Sequence, residues 1–204
     1  MTLKLLVALT LLAGAVQAQS VTGKAFGSST NVAGVVSQSP VATLPSAGGM
    51  ATGQADAFSV AGLVSASQLN AVTTGAVDNK KTGAQSVSDL ANVSAAGGAI
   101  TADAVTAVST SYVNTTTGGG SEADGSGFTN LVVNGVAFTT DVAPNTRVNL
   151  PGVGYVVLNE QIASGDGVNS FGMTVNMIHV VMQNLFGQTT GEVIVGSASS
   201  SVAR

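Results

Sequence analysis

The sequence predicts an all-β fold, a β-sandwich of mainly antiparallel strands joined by glycine-rich loops. Three observations carry that reading. Residues 128–161, FTNLVVNGVAFTTDVAPNTRVNLPGVGYVVLNEQ, are short apolar runs separated by turn pairs. Val and Thr are abundant while Pro is limited to four residues, a balance that favours strands over disorder. No repeat of fixed period runs through the chain, which weighs against a solenoid or propeller.

In order along the chain, residues 1–18 read as a cleaved secretory signal helix. Lys4 supplies the basic start, residues 5–13 an apolar run too short to span a bilayer, and Val16-Gln17-Ala18 small residues at the cleavage positions. Residues 19–204 are then one β-rich extracellular domain. Residues 21–28 alternate weakly as a first strand. Residues 34–45 hold Val35, Val36, Val41 and Leu44, closed by Pro40 and Pro45. Residues 47–53 read as a flexible loop, 57–64 as a strand and 78–81, Asp-Asn-Lys-Lys, as a polar turn.

Residues 86–94 alternate without a strongly apolar face, so a short helix competes with a strand there. Ala95-Ala96-Gly97-Gly98 interrupts the chain. Residues 100–113 form the longest strand, with small side chains on both faces, as expected beneath a closely packed second layer. Residues 115–127 read as a glycine-rich loop. Asn134-Gly135 suits a two-residue type I′ hairpin between strands 131–133 and 136–139. Pro144-Asn145 and Pro151-Gly152 mark turns around strands 147–150 and 155–159. Residues 164–170 are a second loop. In 173–183 the β-branched residues favour a strand placing Met173, Val175, Met177, His179 and Val181 on one face. Residues 192–202 end the chain as a strand of small residues, expected beside the first strand around 24–28 and covering a sheet edge.

Taken together, ITADAVTAVSTS, LVVNG, APNTRVNLPGVGYVVLNEQ, MTVNMIHV and EVIVGSASSSV resemble, in that order, the choice-of-anchor P family of bacterial exported proteins. The resemblance covers residues 99–202 and, more loosely, GKAFGSS near the N-terminus. It implies a β-rich domain that is secreted or at the cell surface, and it transfers no catalytic or binding residues. After Val202 only Ala203 and Arg204 follow, without an LPxTG-like signal or a hydrophobic tail. Covalent anchoring is therefore not expected.

Composition excludes several partners. The chain has six basic and ten acidic residues, a net charge of −4; without Lys4 this becomes −5. Only Lys80-Lys81 are adjacent, so a nucleic-acid backbone has no clustered cations to meet. No later segment resembles a membrane-spanning helix. Cysteine is absent, so an exported domain of this sequence relies on core packing and sheet hydrogen bonds.

Catalytic chemistry is sparsely supplied. His179 is the sole histidine and lies between Ile178 and Val180, the setting of a half-buried core residue. No GxSxG elbow occurs. Glu160 and Asp103 are the carboxylates a glycosidase could use, but aromatic residues are 4% of the chain and Trp is absent, leaving no stacking platform for sugar. Met173, Met177 and His179 on one face could bind copper, although methionine is more often core filler. Glu122 and Asp124, or Asp166, could contribute oxygens to calcium, without matching a calcium-loop pattern. Thr101, Thr106 and Thr110 lack the regular ranks of an ice-binding array. Lys24 could enter an intramolecular isopeptide bond with an Asn. No catalytic, cofactor-binding or metal residue is assigned. The reading is a non-enzymatic structural or interaction module with an extracellular or cell-envelope partner, self-association being open to it. The alternatives are a carbohydrate- or calcium-binding module and, third, a secreted hydrolase.

Overall fold

In the computed structural model, residues 19–204 are described; the expected signal, 1–18, lies outside them. The strands are β1 (Ser20–Val32), β2 (Val35–Thr43), β3 (Gly49–Val60), β4 (Val64–Ala76), β5 (Lys81–Ala95), β6 (Ile100–Asn114) and β7 (Gly118–Glu122). They continue with β8 (Gly127–Thr129), β9 (Val132–Val133), β10 (Val136–Ala137), β11 (Thr146–Leu150), β12 (Gly154–Ser164), β13 (Ser170–Gln183) and β14 (Thr189–Ala203). One sheet has the order β11-β12-β13-β14-β1-β2. The other has the order β10-β9-β6-β5-β4-β3, with β7 and β8 also paired to β6. Every pairing is antiparallel, and the two sheets face each other in a sandwich-like arrangement that does not close into a barrel.

Several expected elements are present. Asn134 and Gly135 both have positive φ, 51° and 76°, so the predicted hairpin turn forms, though β9 and β10 are only two residues each. Residues 77–80 turn between β4 and β5, so the expected 78–81 turn ends one residue early at Lys81, and Ala96–Gly98 is a single 3₁₀ turn. Other elements are corrected. The proposed loop 47–53 gives way at Gly49 to β3. The proposed strand 57–64 is broken after Val60, because Gly62 at φ 73° turns the chain into β4. Residues 86–94 are strand throughout, within β5, rather than helix. The glycine loop 115–127 contains β7, which pairs with β6. The C-terminal strand does lie beside β1, with Lys24 opposite Ser199. It does not cover an edge: β14 sits between β13 and β1 with Val193, Val195 and Ala198 fully buried.

Inside the sandwich, the alternation of buried residues changes parity partway along the strands. In β4, Val64 and Ala66 face inward, and then Leu69 and Ala71. In β5, Ser86, Ser88 and Leu90 are followed by Val93 and Ala95; in β14, Val193 and Val195 are followed by Ala198 and Val202. Gln68, Asn92 and Gly196 stand at these switches with φ of 50°, 50° and 66°. A left-handed residue within a strand re-aims all side chains beyond it, and Asn and Gly adopt that conformation most readily. Asn159, at φ 49°, makes the same change in β12.

The core changes character along the strands. A large aliphatic cluster spans the switches, with Leu69 and Leu90 on one side of them and Val64, Val93 and Ile100 on the other. Farther along, past Leu69 and Leu90, the interior is small and hydroxylated. Ser86 Oγ donates to Ser199 O at 2.7 Å, Ser88 Oγ to Phe26 O at 2.9 Å and Ser109 Oγ to Met173 O at 2.8 Å, each bond crossing from one sheet to the other. A minor apolar cluster, with Val21, Leu44, Val113 and Val202, closes that end.

The hydroxyl layer is expected to be intolerant of change. A Cβ on Gly23 would overlap Thr73 Oγ1, so Gly23→Ala should force the sheets apart. Ser86→Ala removes the bond across the sheets and the 2.9 Å partner of the buried Thr73 hydroxyl. We expect a loss of about 1–3 kcal/mol, read as roughly 2–4 °C of melting temperature per kcal/mol. An unchanged melting curve for both variants would show that these contacts do not set the spacing.

Candidate functional site

The most concentrated set of polar side chains lies on the outer face of the β12-β13-β14 sheet, at its parity switch. Glu160 on β12 stands opposite Asn176 on β13, which stands opposite Ser197 on β14. Ser197 Oγ donates to Asn176 Oδ1 at 2.7 Å, and Asn176 Nδ2 donates to Glu160 Oε2 at 2.7 Å. The same carboxylate oxygen meets His179 Nδ1 at 3.0 Å. The left-handed Asn159 is what turns Glu160 to the face His179 occupies, three registers from the direct partner Val157.

Electrostatics follow from this geometry. The hydrogen bond to Glu160 holds His179 above its usual pKa of 6.5, working against partial burial, and the charge of Glu192 adds to the effect. The hydrogen bond from His179 lowers the Glu160 carboxyl, against its own burial, with Asn176 contributing further. The Nε2 atom of His179 is buried and has no partner among the described residues. Ser197 bonds Asn176 rather than the imidazole, so no nucleophile–base pair is assembled here.

The expected half-buried histidine is therefore found, with an ion-pair partner that periodicity did not reveal. Glu160 lies inside β12 rather than at the end of a strand. The proposed sharing of one face by Met173, Met177 and His179 is corrected. Met177 and the next residue, Ile178, both face the aliphatic core, so the parity changes between them and His179, flanked by the inward Ile178 and Val180, points to the opposite face. That separates the soft ligands a copper site would need. Asp103 lies on the other sheet, accepting from Asn130 Nδ2 at 2.6 Å, and does not approach Glu160 as a glycosidase pair would.

The acidic loops do not converge. Asp166 Oδ1 accepts from the backbone N–H groups of Val168, Asn169 and Ser170, which hold its carboxyl far below the usual range and occupy it in its own turn. Glu122 belongs to β7, opposite Thr110. Among the described residues no group of three or more His, Cys, Asp or Glu could hold a metal ion. Lys24 lies over the Phe26 ring, 5.5 Å from its centre. Of the threonines, Thr106 donates to Asp89, which engages its hydroxyl, and Thr110 accepts from Gln85 Nε2 on the neighbouring strand.

A cleft of about 820 Å³ opens on the side of the sandwich where β8–β10 and the chain after them cross its flank. Phe128, Asn130, Phe138, Asp141, Asn159 and Met177 line it. Asn159 Nδ2 donates to Val142 O at 2.9 Å, fixing the floor to the wall. The sequence reading missed this cleft because its two Phe residues lie ten positions apart, Phe138 in a strand of the expected hairpin and Phe128 ahead of it.

Comparison with family models, with curated proteins and with solved structures finds no match.

Two outcomes are expected. His179 has a raised pKa, so its share of stability is complete below pH 6.5 and is lost as pH rises through the folded-state value. Glu160 has a lowered pKa, so its share is present above about 4.5 and is lost as pH falls through its folded-state value. The melting temperature should decline as pH rises above 6.5, and His179→Gln should lack that component; identical pH profiles would show that the pair is not coupled to folding. Calcium or chelator should leave the melting temperature nearly unchanged, and a rise saturating with calcium concentration would reveal a site by linkage.

Proposed function

We propose that this chain is a non-enzymatic interaction module of the cell surface or extracellular space, in keeping with its resemblance to the choice-of-anchor P family. The observation that carries the reading is the make-up of one end of the sandwich. Val35, Val32, Gly191, Met182, Gly154 and Leu150 form its last cross-strand row on one sheet. Val60, Val64, Ala95, Ile100, Val133 and Val136 form the corresponding row on the other.

Neither these rows nor the turns beyond them, at 33–34, 61–63, 96–99, 134–135, 151–153 and 184–188, contain an ionisable side chain. Leu185 and Phe186 are 103% and 88% exposed there, with Val35, Val36 and Val136 each more than half exposed. Apolar surface gathered at one place on a folded chain marks contact with something else. Asp78, Lys80, Lys81, Asp166 and Arg204 all stand at or near the opposite end, where β1 begins.

A second reading, a module that binds a small polar ligand such as a carbohydrate, is favoured by the side cleft alone. Phe128 and Phe138 offer rings, and Asn130 and Asp141 offer polar groups to hydroxyls. Loss of sugar binding in Phe138→Ala, on a protein that binds before substitution, would establish it.

The leading reading is tested on the protein purified from its producing cells after separation into medium, periplasm and envelope. It should be found in the medium or envelope and should turn over no ester, peptide or glycoside substrate. His179→Ala should alter stability alone. Turnover that disappears in His179→Ala with the fold intact would falsify the non-enzymatic assignment.

A further inference from the structure

The hairpin between β13 and β14 spends its polar groups on holding two apolar side chains in water. Asn184 Oδ1 accepts from Phe186 N at 2.9 Å and from Gln188 N at 3.0 Å, while Asn184 Nδ2 donates to Gln188 Oε1 at 2.9 Å. Backbone bonds from Asn184 N to Gln188 O and from Gly187 N to Asn184 O close the turn, and Gly187 takes a φ of 76° that suits glycine. Leu185 and Phe186 thus project from a pinned turn and lose little freedom when they bind.

Beside the same hairpin is a cleft of about 400 Å³. Leu63, Val153, Val180, Met182 and Thr190 are among its lining residues, and it lies between the turns of the two sheets. A knob and a recess of matching chemistry therefore occur on one end of one molecule.

We propose that this end is a self-association surface, in which Leu185 and Phe186 of one molecule enter the cleft of a second copy and the second copy returns the contact. A two-fold axis through the end satisfies both contacts at once and closes the assembly as a dimer. Charge favours the same occupant. The chain carries a net charge of −4, yet the last rows and turns of the apposed ends hold no ionised group, Glu192 standing one register inside them. A bilayer of anionic lipid would instead be met by Lys or Arg, and this end has neither.

The proposal rests on the interaction-module reading and names its partner. Sedimentation of the purified protein, from micromolar to millimolar concentration, should show a monomer–dimer equilibrium. Phe186→Ser should weaken it by about a hundredfold, since a dimer buries two such rings and each is worth about tenfold or more. Thr190→Arg, an exposed position that lines the cleft without touching the tip, should weaken it as well. Both side chains are exposed, so at a concentration where every variant is monomeric the melting curve should not move. A monomer at every concentration overturns the proposal, as does a dimer indifferent to both substitutions. A monomer that binds neutral phosphatidylcholine vesicles through Phe186 also overturns it, with a lipid surface as the partner and the interaction-module reading intact. A monomer that binds no vesicle and behaves like Phe186→Ser throughout removes the observation on which that reading stands.

Discussion

The hydroxyl bonds that cross between the two sheets are the constraint on which the rest of the structure depends. A serine can donate to the backbone of a facing sheet only if little else lies between them. That spacing in turn admits only Gly, Ala, Ser and Thr at the neighbouring positions. Gly23, Ala25, Ala71, Ser86, Ser88, Ser109, Ser111, Ala198 and Ser200 satisfy this requirement, and all are buried. Ser109 and Ser111 both share the hydroxyl of Ser200, at 2.7 and 2.8 Å, so that the layer has few unpaired groups. A buried hydroxyl is costly only when unsatisfied, which is how a core so poor in large side chains remains consistent with stability. The chain has no cysteine with which to staple that half.

A close half and an aliphatic half must then be joined within the same strands, and the left-handed residues do this. Gln68, Asn92, Asn159 and Gly196 shift the inward parity at a similar level of the sandwich. Leu69 and Leu90 therefore join Val64, Val93 and Val195 in one aliphatic cluster across the shift, while Ala71, Ser86, Ser88 and Ser200 face the core farther along the same strands. The shift has an outward consequence. It brings Glu160 and Asn176 onto the face that carries His179, assembling a polar network that strict alternation would have scattered. The candidate site and the core division share a single backbone cause.

This cause also explains what was legible in the sequence. Strand content, the Asn134-Gly135 turn and the pairing of the C-terminal strand with the first were readable, because turn residues and small side chains act locally. Residues 86–94 looked undecided because Leu90 and Val93, both inward, have opposite parity across Asn92. The stripe of Met173, Met177 and His179 was an artefact of extending period two through the shift. The strand expected over 155–159 continues to Ser164, because Asn159 turns over without leaving the sheet. Single residues with positive φ are cheap for Asn and leave no other mark on composition.

The two ends of the sandwich differ for a reason that stability alone does not supply. Turn chemistry at 184–188 needs Asn184 and Gly187, but no bond in the turn uses the side chains of Leu185 and Phe186. Polar residues would fit those positions with the same hydrogen bonds and without exposing apolar surface. At the opposite end, Asp166 shows the same economy of turn design with a charged residue, its carboxylate accepting three backbone N–H groups while it remains hydrated. That end also exposes Met50 and Val168, yet the most exposed Leu and Phe among the described residues stand at the other. Folding does not require that placement. The proposed contact with a second copy would.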